Sequence, residues 1–319
     1  MKGEAVPLVE ARAISRRFGG LQALDRVDFR IGRGEIVGYV GPNGSGKTTT
    51  LRALLGLLRI DSGDLRVFGR DVHTGMADIG ARMGAVFDQH ALHADLTVRE
   101  TLDLYARLYG MKAGRHRRVE EVIALMGLGE RTASRAKTLS KGLRQRLAFG
   151  RAIVHTPALL VLDEPFDGID TETLRHLREL LRNLVAEGTS VFLTSHDLHE
   201  VDQLASRVII LDRGRVVAHG SPAELKRGLG GGGVSVVFEM PVTFSELHAA
   251  VADVAASEAI ELTAGGLRAT IRLAAGVPVD GIALRILGAG LRVRQFQPIE
   301  STLEDAYFAH LGESMEDRP

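Results

Sequence analysis

The chain has 319 residues, 45% of them hydrophobic and 25% charged, and its 40 basic and 40 acidic side chains give a formal net charge of +0. This is the composition of a soluble globular protein with room for one large or two smaller domains, and its neutrality argues against a nucleic-acid partner. Cysteine is absent, which excludes disulfides, thiolate metal sites and cysteine nucleophiles. The start, Met1-Lys2-Gly3-Glu4-Ala5-Val6-Pro7, lacks the apolar stretch of a signal peptide. Apolar runs such as Ala158 to Leu162 fall well short of the roughly 18 residues that a membrane span needs. A cytoplasmic protein is expected, held at a membrane only through a partner.

Val6 to Val9 and Val27 to Ile31 read as strands on either side of a turn-rich stretch, Arg17-Phe18-Gly19-Gly20. Next come a short buried strand, Glu35 to Val40, and the octet Gly41-Pro42-Asn43-Gly44-Ser45-Gly46-Lys47-Thr48. The octet fits the phosphate-loop pattern G-x-x-x-x-G-K-[ST], and the required context follows: a helix over Thr49 to Leu58, with Leu51, Leu54, Leu55 and Leu58 at helical spacing. Glycines let successive amides turn into one concavity, and the helix adds the positive end of its dipole, so Gly41 to Thr49 should cradle a polyphosphate. Lys47 should neutralise the β- and γ-phosphates, and the Thr48 hydroxyl should ligate Mg²⁺. A nucleoside triphosphate is the expected ligand. Upstream, Phe18 is then either a ring that stacks on the adenine face or an ordinary core or edge aromatic.

Turn signals at Asp61-Ser62-Gly63 and Phe68-Gly69 bracket a strand, and Ile79 to Val86 leads into Phe87-Asp88-Gln89-His90. Thr97 and Glu100 fit a capping box, and from Val98 to about Arg151 the pattern is helical. The apolar strand Val161-Leu162 ends in Asp163-Glu164, and Pro165 stops it. Beside a phosphate loop, Asp163 can hold Mg²⁺ and Glu164 can polarise an attacking water. Thr171 to Glu187 is an amphipathic helix, and the next buried strand, Ser190 to Thr194, runs into Ser195-His196-Asp197. His196 is placed either to meet the γ-phosphate and orient the water or as a structural loop histidine. Val208 to Leu211 and Val216 to His219 form a hairpin.

Gly228 to Gly233 is the one low-complexity run and reads as a linker. Beyond it the order is β-α-β-β-α-β: Val234 to Glu239, Thr243 to Ala255, Ala259 to Leu262, Leu267 to Leu273, Val279 to Leu287 and Leu291 to Phe296. That order suggests a small ferredoxin-like module, closed by an amphipathic helix over Leu303 to Leu311.

Taken together, these motifs resemble the nucleotide-binding subunit of ABC transporters over Val6 to about Leu225. The most specific element is Leu139-Ser140-Lys141-Gly142-Leu143-Arg144-Gln145-Arg146, which sits where that family carries its Leu-Ser-Gly-Gly-Gln signature. The resemblance implies that Ser140 and Gly142 contact the γ-phosphate bound to a second subunit. It makes Phe18 the adenine-stacking aromatic, Asp163 and Glu164 the Walker B acid and catalytic carboxylate, and His196 the switch histidine. Gly168-Ile169-Asp170 looks like the loop that crosses the dimer interface. Two departures stand out: Lys141 and Leu143 replace a glycine and the glutamine of the signature, and the loop after Val86 offers either Asp88 or Gln89 as the Mg²⁺ ligand.

The resemblance implies an α/β phosphate-loop NTPase of the ABC type, with a RecA-like core, an antiparallel β subdomain and a helical signature subdomain over about 91–157. The ATPase domain would span 1–227, the linker 228–233 and a small α+β domain 234–319. The implied activity is Mg²⁺-dependent ATP hydrolysis by a homodimer that drives a separate membrane permease. The ending Ser301-Thr302-Leu303-Glu304-Asp305-Ala306-Tyr307-Phe308 looks like that of drug, lipid or polysaccharide exporter ATPases. A non-transport ATPase acting on the ribosome is the alternative, and one phosphate loop with zero net charge argues against it.

Overall fold

The computed structural model describes residues 6–87, 92–228, 233–255, 259–263, 265–272, 279–299 and 301–312. It divides into two compact units, Met1–Ser221 and Pro222–Pro319. The break comes just before the helix Pro222–Gly228, so that helix groups with the second unit, whereas the sequence reading puts the boundary at 227.

The first unit opens with a long antiparallel hairpin, β1 (Val9–Phe18) and β2 (Leu21–Ile31). Only its ends read as strands in the sequence. The alternation is broken by two non-glycine residues at positive φ, Ala13 (φ 47) and Arg26 (φ 51). Side chains accept the amides freed there: Ala13 donates to Asp28 Oδ1 at 2.8 Å and Arg26 to Ser15 Oγ at 3.0 Å. After β3 (Ile36–Val40) and α1 (Lys47–Leu54) come β4 (Ser62–Val67), β5 (Arg70–Asp71), α2 (Val72–Gly80) and β6 (Met83–Val86). The order β2-β1-β4-β5 makes one sheet.

Three helices form the helical part of this unit: α3 (Val98–Leu108), α4 (Arg115–Leu125) and α5 (Lys141–Ile153). The capping box at Thr97 and Glu100 is present, with Thr97 N donating to Glu100 Oε2 at 2.8 Å. Val98, Leu102, Val122, Met126 and Phe149 are all buried. The chain then alternates through β7 (Leu159–Asp163), α6 (Thr171–Ala186), β8 (Ser190–Ser195), α7 (Leu198–Leu204) and the hairpin β9 (Arg207–Asp212) and β10 (Arg215–Gly220). The second sheet runs β10-β9-β3-β8-β7-β6 and is parallel from β9 to β6. Strands β3 and β7 are almost wholly apolar because both faces are covered. A shared core joins the two sheets, centred on Phe29, Tyr39 and Phe192, whose ring centroids lie 5.2–5.8 Å apart. This core brings the C-terminal ends of β3, β7 and β8 side by side, where an open α/β sheet binds its ligand.

The second unit contains α8 (Pro222–Gly228), β11 (Gly233–Phe238), α9 (Phe244–Val251), β12 (Ile260–Leu262), β13 (Arg268–Arg272), α10 (Val279–Gly288), β14 (Val293–Ile299) and α11 (Leu303–Gly312). Its sheet runs β12-β13-β11-β14 with every pair antiparallel. Val234, Val236, Phe238, Leu247, Ile271, Ile282 and Ile286 form its own core. Residues 229–232, most of the expected linker, lie outside the described residues.

Candidate active site

Backbone geometry alone shapes the phosphate loop. Gly46, the residue before α1, has φ 110, and a Cβ there would lie 2.5 Å from the Ala23 carbonyl oxygen. No other residue type is free of strain at that position. Helix α1 begins at Lys47, two residues earlier than the periodicity predicts, so Lys47 and Thr48 lie in its first turn; it ends at Leu54, before Gly56 turns to φ 69. Ser45 Oγ is buried and has no hydrogen-bond partner. A buried hydroxyl left unpaired is costly, and an acceptor brought into the loop would satisfy it.

Lys47 is buried, and its Nζ donates to the carbonyls of Gly41 at 2.6 Å and Pro42 at 3.2 Å. Burial draws its ammonium down from the ordinary lysine value, against the opposing pull of the Glu164 and Asp163 carboxylates. These acids arrive from the end of β7. Asp163 Oδ1 accepts from Thr194 Oγ1 at 2.7 Å, so the neighbouring strand β8 orients it. Glu164 has φ 45, a conformation few non-glycine residues adopt, and its amide donates to the Thr194 carbonyl at 3.1 Å. That left-handed residue turns the chain sharply as β7 ends. Glu164 Oε2 accepts from the His196 amide at 3.1 Å and pairs with His196 Nδ1 at 2.9 Å.

Phe18, Leu21, Ala23, Asn43, Gly44, Gly46, Lys47, Thr48, Thr49, Asp163 and Glu164 line one cleft of about 370 Å³. The expected base-stacking ring, phosphate loop and carboxylates thus share a single concavity. His196 reaches it through Glu164. Gly41, Pro42 and Ser45 complete the loop behind it. Asp88 and Gln89 lie outside the described residues.

Ser140, Gly142 and Asp170 do not line this cleft. Ser140 caps α5, its hydroxyl accepting from Leu143 N at 3.3 Å, and Asp170 caps α6, accepting from Thr173 N at 2.8 Å. The hydrogen bond from the Thr173 amide also holds the Asp170 carboxyl below its ordinary value. The two helix starts touch at Gly142, where a Cβ would lie 2.7 Å from both Asp170 Oδ2 and Thr173 Oγ1. Lys141 reaches past this contact to Asp167 at 3.8 Å.

Two contacts escape the sequence reading. Gln145, buried on α5, donates to the Pro165 carbonyl at 2.6 Å and so ties the signature helix to the turn after Glu164. Its place two residues beyond the signature's own glutamine position was the available signal. Thr194, which orients Asp163, carried none beyond its place in a buried strand.

The ABC transporter family model matches residues 24–167. Over the whole chain and 96% of the relative, the sequence is 34% identical to the daunorubicin/doxorubicin resistance ATP-binding protein DrrA of Streptomyces peucetius. It is 35% identical to the Nod factor export ATP-binding protein I of Paraburkholderia xenovorans (strain LB400), covering 68% of this chain and 72% of that one. Among solved structures, the ATP binding subunit of an ABC transporter superposes with a TM-score of 0.65 at 29% identity, over 69% of this chain and 92% of that one. The phosphate loop at the end of β3, the acids ending β7 and the helical insertion carrying Ser140 are therefore parts of an ABC-type α/β ATPase fold, and the chain belongs to the family of ATP-binding subunits of ABC transporters.

Proposed function

We propose that this chain is the Mg²⁺-dependent ATPase of an exporter, working as a homodimer on a separate membrane permease. The observation that carries the reading is the meeting of Lys47, Thr48, Asp163 and Glu164 in one cleft, with Glu164 bonded to His196 through a single oxygen. Both bonds from His196 go to Oε2, which leaves Oε1 with lone pairs to take a proton from an attacking water. Lys47 and the loop amides neutralise the phosphates, and Ser45 Oγ gains the acceptor it lacks. Thr48 and Asp163 offer the hydroxyl and carboxylate oxygens that a hard cation prefers, and Gln89 or Asp88 would complete the set. Mg²⁺ held there would neutralise charge on the β- and γ-phosphate oxygens. Phe18 is the platform for the adenine ring.

Ser140 and Gly142 stand apart from their own cleft, which supports a role on the nucleotide of a second copy. Among the described residues no helix is long and apolar enough to cross a membrane, so transport needs a permease partner. The export direction rests on the relatives, and most on the one whose similarity runs through the second unit as well. The second unit, with its β-α-β-β-α-β order, is read as a ferredoxin-like module appended to the ATPase domain.

The decisive variant is Glu164→Gln. An amide oxygen can still accept from His196 but is no base, so turnover should fall by about 10²–10⁴-fold with ATP affinity kept. Wild-type turnover in that variant would overturn the assignment. Affinity purification from gently solubilised membranes tests the transport reading. A polytopic membrane protein in stoichiometric amount supports it, and ribosomal proteins alone would replace it with the non-transport alternative. Loss of activity on chelation, restored by Mg²⁺, tests the metal.

A further inference from the structure

The hairpin that carries Phe18 makes a second contact to its ring. The Arg16 guanidinium carbon lies 4.8 Å from the ring centroid. Phe18 lines the cleft, and Arg16 is not among the residues that line it. Phe18 is itself 44% exposed, so its ring has surface left on which a base can stack.

Arg16 is held from two sides. Asp61, just before β4, accepts from Arg16 Nη1 at 2.6 Å on one oxygen and from the Arg17 amide at 2.7 Å on the other. Arg16 Nε is buried with no hydrogen-bond partner, so its place is set by Asp61 and the ring rather than by a further acceptor. Next in the chain, Arg17 Nε donates across the hairpin to Gln22 Oε1 at 3.0 Å, and Gln22 Nε2 donates to the Leu24 carbonyl at 2.6 Å.

We propose that Arg16, fixed by Asp61, is a positioning residue for the nucleotide base, backing Phe18 in a stack of guanidinium, phenyl ring and purine. A cation on one face draws the ring's π density toward itself, which favours stacking of an electron-rich purine on the other face. The clamp also keeps the ring at the cleft edge before the base arrives, so less order is lost on binding. The inference rests on the reading of Phe18 as the adenine platform and deepens it.

The test compares a ligand with a base and one without: ATP and inorganic tripolyphosphate. In the full-length protein, Arg16→Gln should raise KM and Kd for ATP about two- to five-fold, the range expected for an exposed cation–π contact. Turnover at saturation and inhibition by tripolyphosphate should stay unchanged. Arg16→Lys, which keeps a cation over the ring, should recover most of the affinity, and Asp61→Asn should lose part of it. In a Phe18→Leu background, Arg16→Gln should add nothing. If Phe18→Leu itself leaves ATP affinity unchanged, the platform reading fails and this inference with it. If Phe18→Leu weakens ATP but Arg16→Gln does not, only the role of Arg16 is overturned. Equal loss of ATP and tripolyphosphate in Arg16→Gln would also overturn it, by making the arginine a general structural or electrostatic element.

Discussion

Arg178→Met should strongly destabilise the first unit. Glu200, on α7, is only 4% exposed, and its carboxylate takes both arms of the Arg178 guanidinium from α6, one of them at 2.6 Å. Removing the arginine strands a buried charge, which costs about 3–5 kcal/mol in comparable sites. The lower end applies because the Arg178 side chain keeps 20% of its surface in solvent. For a unit of this size each kcal/mol is worth about 2–4 °C in Tm, so a fall of about 6–12 °C is expected. Thermal unfolding followed by circular dichroism, with nucleotide absent throughout, measures it. The double variant Arg178→Met/Glu200→Leu removes both charges and should regain most of the loss. A single variant within about 1 kcal/mol of wild type, or a double variant as unstable as the single, would refute the reasoning.

Three further outcomes are expected. His196→Ala removes the ring bond to Glu164 but keeps the amide bond, so turnover should fall by about 10²–10³-fold with ATP affinity nearly intact, read from steady-state kinetics and nucleotide titration. Gly142→Ala gains about 1 kcal/mol of helix propensity but drives a methyl into Asp170 and Thr173; overpacking of about 1–3 kcal/mol wins, and a chemical melt should show net destabilisation. His155 stacks on Tyr109 with ring centroids 3.4 Å apart, and burial lowers it to about 4. The unfolded chain then takes a proton that the folded one refuses, so this residue makes stability fall as pH drops from about 6.5 to about 4, by up to about 2 kcal/mol after allowing for its partial exposure. In His155→Gln that part of the slope should vanish from urea melts run across the interval.

What could be read from the sequence was whatever a short stretch of chain determines alone. The octet at Gly41 to Thr48 needs glycine at Gly46 for a local backbone reason, and the strand that ends in Asp163-Glu164 announces itself by its apolar run and its proline. The element order of the second unit from β11 onward was legible for the same reason, since alternation and helical period switch cleanly there, whereas α8 was not read. Other features depend on partners distant in the chain. The β1–β2 hairpin was hidden because its bulges at Ala13 and Arg26 break the alternation, and the side chains that repair them, Asp28 and Ser15, lie on opposite strands. Arg16 drew no reading from the sequence, because Asp61, which fixes it over Phe18, lies 45 positions away. The pairing of Arg178 with Glu200 joins the amphipathic helix read over Thr171 to Glu187 to α7, a short helix that the sequence reading did not identify.

Three of the segments assigned to ATP turnover share one local device, and it explains why their residues have two readings. Ser140, Asp170 and Asp197 each sit immediately before a helix and accept the amide three residues on, at 3.3, 2.8 and 3.1 Å. Read locally, each is an ordinary N-cap. A cap also fixes where its helix begins, and so where the first free amides of that helix point. For α5 those amides are the ones proposed to meet the nucleotide of a second copy, and Gly142 presses that helix start against the cap of α6. For α7 the cap follows His196 directly, so the turn holding Glu164 Oε2 is anchored one residue from a helix that Arg178 ties back to α6. Contacts therefore lead from Asp170 in two directions, to the signature helix at Gly142 and, through α6, to the Arg178–Glu200 pair on α7 beside His196. Asp170→Asn, which can still cap but carries no charge, should leave both connections in place; Asp170→Ala should disturb both, lowering turnover together with stability. Full turnover in the alanine variant would separate the cap from the chemistry and leave Asp170 with only its role at the start of α6.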